Sequence, residues 1–326
     1  MANTLHLPKT LQEAVAFFSD PQRTFDYAVK LRWPDGKVTC PRCDGTEHSF
    51  ISTRRQWFCK GCKKQFTVKV GTIFEDSALG MDKWMIAVWL IVNAKNGISS
   101  YEVSRALGIT QKSAWFMMHR VRLALHEKHF VQLGGSGKEV EVDETFIGGL
   151  ARNMHANKRK LRITHTGTKD KTAVMGILER GGEVRAAVVG NRKKHLLHKN
   201  IRAHVKAGSA IYTDALMSYQ GLKQQGFEHQ VVDHAESYVD GQIHTNGLEN
   251  FWSLFKRQVV GQHHHISVKH LHRYLDEVAF KFNNREAENI FSLIVLNLVI
   301  GEALRYKTLT APVSPLPSES EPSASE

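Results

Sequence analysis

The spacing of apolar positions changes several times along the chain, and each change marks a different kind of structure. Leu11, Ala14, Phe17 and Phe18 recur at helical intervals ahead of a Ser-Asp-Pro break at 19–21, which predicts one or two short helices within residues 1–30. Residues 31–75 lose that period. Cysteine, glycine, aromatic and basic residues alternate there, the texture of short strands and tight turns. Helical spacing returns over 80–130, where Trp84, Val88 and Ile91 make one apolar face and Gly97 interrupts it. A short segment from Ser99 to Leu107 follows, with Ser100 placed to cap it. Gly108 interrupts again, and Thr110 caps a last helix running to about Glu127.

The Gly-Gly-Ser-Gly stretch at 134–137 lies between two periodicities and marks a domain boundary. Beyond it, residues 139–147, 172–179 and 183–189 alternate or run apolar as strands do, and Gly181-Gly182 signals a hairpin between the last two. A helical stretch over 194–206, a short strand at Ala210 to Thr213, a helix near 216–225 and a strand at 227–232 come next. Helices dominate from 246 to about 305. Residues 138–305 therefore read as one domain of strands and helices with a helical end. The Pro-, Ser- and Glu-rich segment 311–326 has too few apolar residues to fold and reads as a disordered tail.

With 326 residues, 42% of them hydrophobic, there is enough apolar material for more than one core. The net charge of +12 is held down by Glu319, Glu321 and Glu326 of the tail, so the rest is more basic still. That excess suits a polyanion, though many basic proteins never touch nucleic acid. No basic stretch followed by an apolar run opens the sequence, and apolar segments such as 84–92 and 293–300 are too short to span a bilayer. A soluble, unexported, cytoplasmic protein with no membrane partner is expected.

All four cysteines fall in Cys40-Pro-Arg-Cys43 and Cys59-Lys-Gly-Cys62, with 15 residues between the pairs. This is the spacing of a four-thiolate zinc ribbon, in which a tetrahedral ion closes a loop too small to bury its own core. Four protein ligands leave no open position for water, so Zn²⁺ is expected to be structural, with iron as the competing metal. Arg42, Arg54, Arg55, Lys60, Lys63, Lys64 and Lys69 surround it, either to contact DNA phosphates or as a solvated basic face. The helix opened by Thr110 carries Gln111, Lys112, Ser113, His119 and Arg120. The segment from Ser99 onward thus suits a DNA-binding helix-turn-helix, while a plain helical bundle would show the same apolar spacing.

Acidic residues stand in odd places. Val140-Glu141-Val142-Asp143-Glu144-Thr145 alternates apolar and acidic positions, which puts Asp143 on the face opposite Val142, and Asp214 ends the apolar strand Ala210-Ile211-Tyr212-Thr213. In His244-Thr245-Asn246-Gly-Leu-Glu249-Asn-Phe-Trp252-Ser-Leu-Phe-Lys256-Arg257, the residues Asn246, Glu249 and Lys256 share one helical face. Two-metal phosphoryl transfer needs a few carboxylates converging on ions about 4 Å apart. Taken singly, such acids are more often solvated.

Together these residues resemble the DDE-type insertion-sequence transposases that begin with a zinc ribbon, the group related to the Merlin elements and bearing an ISXO2-like transposase domain. The resemblance covers roughly residues 15 to 290. It rests on the paired cysteines, Val-Asp-Glu-Thr-x-x-Gly-Gly at 142–149, Tyr212-Thr213-Asp214, the run from His244 to Arg257, His264-His265-x-Ser267, and Phe282-Asn283-Asn284-Arg285. It implies an RNase H-like catalytic domain in which Asp143, Asp214 and a third residue hold Mg²⁺ or Mn²⁺. Some members use a Glu third and others are described by an Asn followed by a Lys, so Asn246, Glu249 and Lys256 all stay in play. Glu249 is preferred because an anionic oxygen binds Mg²⁺ better than an amide. The implied function is binding to the double-stranded ends of an insertion sequence, cleavage, and strand transfer to target DNA, with more than one copy of the chain in the complex. His263, His264 and His265 read as phosphate contacts or loop structure, and the basic run from Arg152 to Arg162 as a DNA-facing insertion or a solvated loop. A zinc-ribbon regulator without catalysis and a nuclease that cuts without joining are the competing functions.

Overall fold

Short polar caps set where the first helices begin. The Thr10 hydroxyl accepts from the Glu13 N–H and starts α1 (Leu11–Phe18); the Asp20 carboxylate accepts from the Gln22 and Arg23 N–H groups and starts α2 (Pro21–Arg32), with proline at its first position. The computed structural model describes residues 8–126, 131–148, 154–162, 171–232, 244–287 and 290–311. The expected tail from 312 onward, the helix end at Glu127 and part of the Arg152 run lie outside these residues. A three-stranded antiparallel sheet follows, β1 (His48–Ile51), β2 (Gln56–Cys59) and β3 (Gln65–Thr67), in that order. Trp57 of β2 stacks on Phe66 at 5.5 Å and on Phe25 of α2 at 5.6 Å, so the ribbon borrows α2 for its core.

Next come α3 (Met81–Asn93), α4 (Ser100–Leu107) and α5 (Gln111–Ala124). The cap of α4 is Ser99, not Ser100. A capping box needs its acid three residues after the cap, and Glu102 stands three after Ser99, each side chain bonding the other's backbone N–H. Thr110 caps α5 as expected, accepting from the Ser113 N–H at 3.1 Å.

The second sheet is built from β4 (Glu139–Ile147), then, past α6 (Ala156–Arg162), β5 (Thr172–Glu179) and β6 (Val184–Val189), and past α7 (Lys194–His204), β7 (Ala210–Asp214) and β8 (Glu228–Val232). Its order is β6-β5-β4-β7-β8; β4, β5 and β6 run antiparallel and β7 and β8 parallel to β4. This mixed sheet is compatible with the RNase H-like fold. The helix expected near 216–225 is instead two 3₁₀ turns, Met217–Tyr219 and Lys223–Gln225. Leu216, Tyr219 and Leu222 face the core at every third position, the period of a 3₁₀ turn and not of an α-helix. The chain ends in α8 (Asn246–Gln258), one π-turn (Val259–His263), α9 (Val268–Asn283), α10 (Ile290–Ile300) and α11 (Tyr306–Thr310).

Side chains alternate across β4, so Val140 and Val142 pack with Leu197 and Ile201 of α7 on one face of the sheet. On the other face Val174, Leu178 and Val184 meet α8 and α9 through Leu248, Phe251, Phe255 and Leu275. A separate core joins α1, α3, α4 and α5 to Phe291, Ile294, Val295 and Leu298 of α10, so the span 138–305 contributes its last long helix to the front of the molecule. Buried Arg122 of α5 and Glu277 of α9 tie the parts together at 2.6 Å, with Lys281 on the second Glu277 oxygen at 2.7 Å.

This closure overturns one expectation for α5. Arg120 does not face outward: its guanidinium donates to the carbonyls of Ile73, Glu75 and Leu304 at 2.7–2.9 Å. His119 is fully buried against the rings of Trp115 and His270. The far half of α5 is roofed by α9 and by the chain after α10, which leaves only its first turn open. Among the described residues no helix is long and apolar enough to cross a membrane.

Candidate active site and zinc centre

The four cysteine sulfurs lie within 4.8 Å of one another, with Cys40 to Cys62 at 3.8 Å and Cys43 to Cys59 at 3.6 Å. Thiolates on a tetrahedral ion with bonds of about 2.3 Å stand roughly 3.8 Å apart, so this donor set fits zinc. Two turns make the site, closed by Cys40 N–H to Gly45 O and Cys59 N–H to Lys64 O. Of the surrounding cations, Arg42, Arg54, Arg55, Lys60, Lys63 and Lys64 are exposed. Lys69 is not one of them: its ammonium is spent on the carbonyls of Ser77 and Leu79.

The acidic site forms where two central strands part. β4 and β7 pair in parallel only through Glu139 with Ala210, Val140 with Ile211 and Glu141 with Tyr212. Beyond that point the ladder opens, and carboxylate oxygens of Asp143, Glu144 and Asp214 come within 4.8 Å of one another. Hard anionic oxygens in one cluster suit Mg²⁺ or Mn²⁺. Glu144 was not among the expected site residues, since strand alternation sends it to the face away from Asp143. Its signal was simple adjacency in Val-Asp-Glu-Thr. The Tyr219 hydroxyl donates to Glu144 and holds it at the gap.

Crowding of like charge out of water shows in the protonation of these groups. Burial, then the charge of Asp214 and more weakly of Glu249, raises Asp143 to about 6, against hydrogen bonds from the Glu144 backbone and the Trp252 indole. Burial, with Asp214 and Asp143, likewise lifts Glu144 to about 7, opposed by Tyr219 and Arg192.

A cleft of about 690 Å³ opens over Asp143 and Glu144, Asp214 not being in its lining, and α8 forms one wall with Glu249, Ser253, Lys256 and Arg257. Of the three expected α8 residues, Glu249 and Lys256 thus share the cleft with Asp143; Asn246, the exposed first residue of the helix, is not in its lining. His263 meets Tyr274 edge to face with ring centres 4.7 Å apart, and among the described residues neither it nor His264 or His265 joins a group able to hold a metal.

A buried polar network sets the start of α8. Thr245 makes no side-chain cap, and the buried Glu141 carboxylate of β4 substitutes, accepting the Leu248 N–H at 2.9 Å. Arg180 bonds the other Glu141 oxygen at 2.9 Å, Glu139 at 3.0 Å and the His244 carbonyl at 2.7 Å. The helix approaches so closely that a Cβ on Gly247 would stand 2.4 Å from Leu178 and 2.8 Å from Glu141. Nothing in the sequence singled out Arg180.

Comparisons with known proteins point to one family. Residues 132–283 match the model of the ISXO2-like transposase domain, and residues 20–65 match that of the transposase zinc-ribbon domain. The chain is 26% identical over 270 residues to an uncharacterized protein in the transposable element ISH50 of Halobacterium salinarum, covering 79% of this chain and 89% of that protein. It is 32% identical over 112 residues to an uncharacterized transposase-like protein of Haemophilus influenzae, covering 34% of this chain and 90% of that one.

Proposed function

From the premise that the chain belongs to the family of transposases that join a zinc ribbon to an ISXO2-like transposase domain, we propose that it cuts and joins DNA at the ends of an insertion sequence. The observation that carries this reading is the convergence of Asp143, Glu144 and Asp214 at the open end of the central strands, with Asp143 and Glu144 lining a cleft that Glu249 and Lys256 share. Asp143 and Asp214, with Glu249 from the cleft wall, would hold Mg²⁺ or Mn²⁺, and the chemistry the ion would supply is activation of the attacking oxygen and stabilisation of the leaving one. Glu249 is favoured over Asn246 by its charge and by its place in the cleft. Lys256 and Arg257 offset the charge of the scissile phosphate from the same wall.

Water opens a phosphodiester at the element end and leaves a 3′-hydroxyl. That hydroxyl then displaces a 3′-oxygen from a target phosphate, so one bond breaks as one forms and no external energy is required. End recognition falls to α4 and α5 as a helix-turn-helix, read through Gln111, Lys112 and Ser113 at the start of α5, with the exposed ribbon cations on phosphates. Zinc in the four-cysteine site keeps the ribbon folded, and two or more chains act on paired ends.

The test is a strand-transfer assay on end-bearing duplex with Mg²⁺ or Mn²⁺. The wild type should cleave and join, and Asp143→Ala and Asp214→Ala should each lose at least about a thousandfold, several kcal/mol of transition-state stabilisation. Cutting without joining would make the protein a nuclease. Full activity in both variants would refute the enzyme reading.

A further inference from the structure

Trp252 sits in α8 three residues after Glu249 and is almost completely buried. A buried indole N–H needs an acceptor, and this one donates to Asp143 Oδ2 at 3.1 Å. The backbone is shaped for that reach. Gly176 of β5 stands directly opposite Asp143 in the ladder, and a Cβ there would come within 2.6 Å of Trp252 Cζ2 and 2.9 Å of Leu248 Cδ2. The missing side chain is therefore the slot that seats the ring beside the carboxylate. One helix carries both the indole and Glu249, so the same contact ties the height of Glu249 on the sheet to the orientation of Asp143.

Resting on the reading of the acidic cluster as a divalent-metal site, we propose that Trp252 is a positioning residue for it. Its indole N–H holds the Asp143 carboxylate in the orientation in which it meets Glu144 and Asp214. A ligand whose orientation is fixed by a hydrogen bond from its surroundings binds metal more tightly than one free to rotate, and losing such a bond typically costs about 10–100-fold in affinity. Core filling alone would ask only for a large ring at 252; positioning asks for the N–H.

The experiment compares the full-length, zinc-loaded wild type with Trp252→Phe, reading Mn²⁺ binding by electron paramagnetic resonance without DNA, beside the melting temperature and binding to end-bearing DNA. Mn²⁺ binding should weaken about 10–100-fold while melting and DNA binding hold. Replacing Trp252 by benzothienylalanine, which keeps the bicyclic ring and removes only the N–H, should weaken Mn²⁺ binding equally, and it answers the question should the smaller phenyl ring disturb folding. Wild-type Mn²⁺ affinity in the benzothienylalanine protein overturns the inference and leaves the proposed function standing. A wild type whose Mn²⁺ binding is unaffected by Asp143→Asn refutes instead the metal-site reading on which it depends.

Discussion

Replacing Asp143 with Asn should make the metal-free protein more stable while removing its activity. Asp143 is raised from 3.8 to about 6 by burial and by the neighbouring acids, so the folded state takes up a proton more readily than the unfolded one. Its favourable contribution is complete below about pH 4 and is lost as pH rises from there through 6. A shift of about two units corresponds to roughly 3 kcal/mol of penalty on the ionised form at pH 8. Asn stands in for the protonated carboxyl and keeps a neutral acceptor for the Trp252 N–H, whose opposing effect is already contained in that net shift. The expected gain is then up to about 3 kcal/mol, or about 6–12 °C in Tm for a domain of this size. The assay is thermal unfolding in magnesium-free buffer without chelator at pH 8 and at pH 4, the variant being read against the wild type at each pH so that the weaker zinc binding of protonated thiols at pH 4 affects both alike. The variant should melt higher at pH 8, and the gap should shrink to a small remainder at pH 4, where Asp143 is protonated in the folded state and about half protonated in the unfolded one. Adding Mg²⁺ should raise the wild type and leave the variant unmoved, because only the wild type has the ligand to couple binding to folding. A variant that melts no higher at pH 8, or by the same margin at both pH values, refutes the reasoning.

Further outcomes can be checked directly. Elemental analysis should find one zinc per chain, and Cys59→Ser should lose it together with the ribbon's protection from proteolysis, since the ribbon core is a single aromatic pile closed by the four-sulfur site. Gln111→Ala with Lys112→Ala should weaken binding to element ends more than to random duplex, by about 1–3 kcal/mol for each base no longer read, as a gel-shift titration would show. Arg120→Ala should destabilise the fold by about 3 kcal/mol or more in denaturant unfolding, because it strands two buried carbonyls and a third that is partly buried. Glu249→Ala should abolish metal-dependent cleavage where Asn246→Ala keeps it; the reverse pattern in a nicking assay would assign the third ligand to Asn246.

What could be read along the chain was whatever is decided within a few residues. The cysteine pairs were legible because each closes its own turn, and β4, β5 and β6 because period-two alternation is a property of one strand facing two environments. Asp143 and Asp214 stood out only together and beside the other motifs, because a mid-strand acid in an alternating run or an acid ending an apolar strand reads, taken singly, as a solvated side chain. The exchange of Ser100 for Ser99 as the cap of α4 was a one-residue slip that the position of Glu102 already contained. The rest needed the chain to return on itself. Arg120 and His119 look like the outer face of a DNA-reading helix until residues 270 and 304 arrive to cover them, and no local pattern reports a contact 150 or more positions away. Glu144 belongs to the wrong face by alternation and reaches the acidic cluster only because β4 and β7 separate beyond Glu141, a matter of how two distant strands twist apart. The seat of Trp252 likewise exists only in the pairing of Gly176 with Asp143: the sequence held both the donor and the acceptor, 109 positions apart, and only the packing of α8 on the sheet made them a pair.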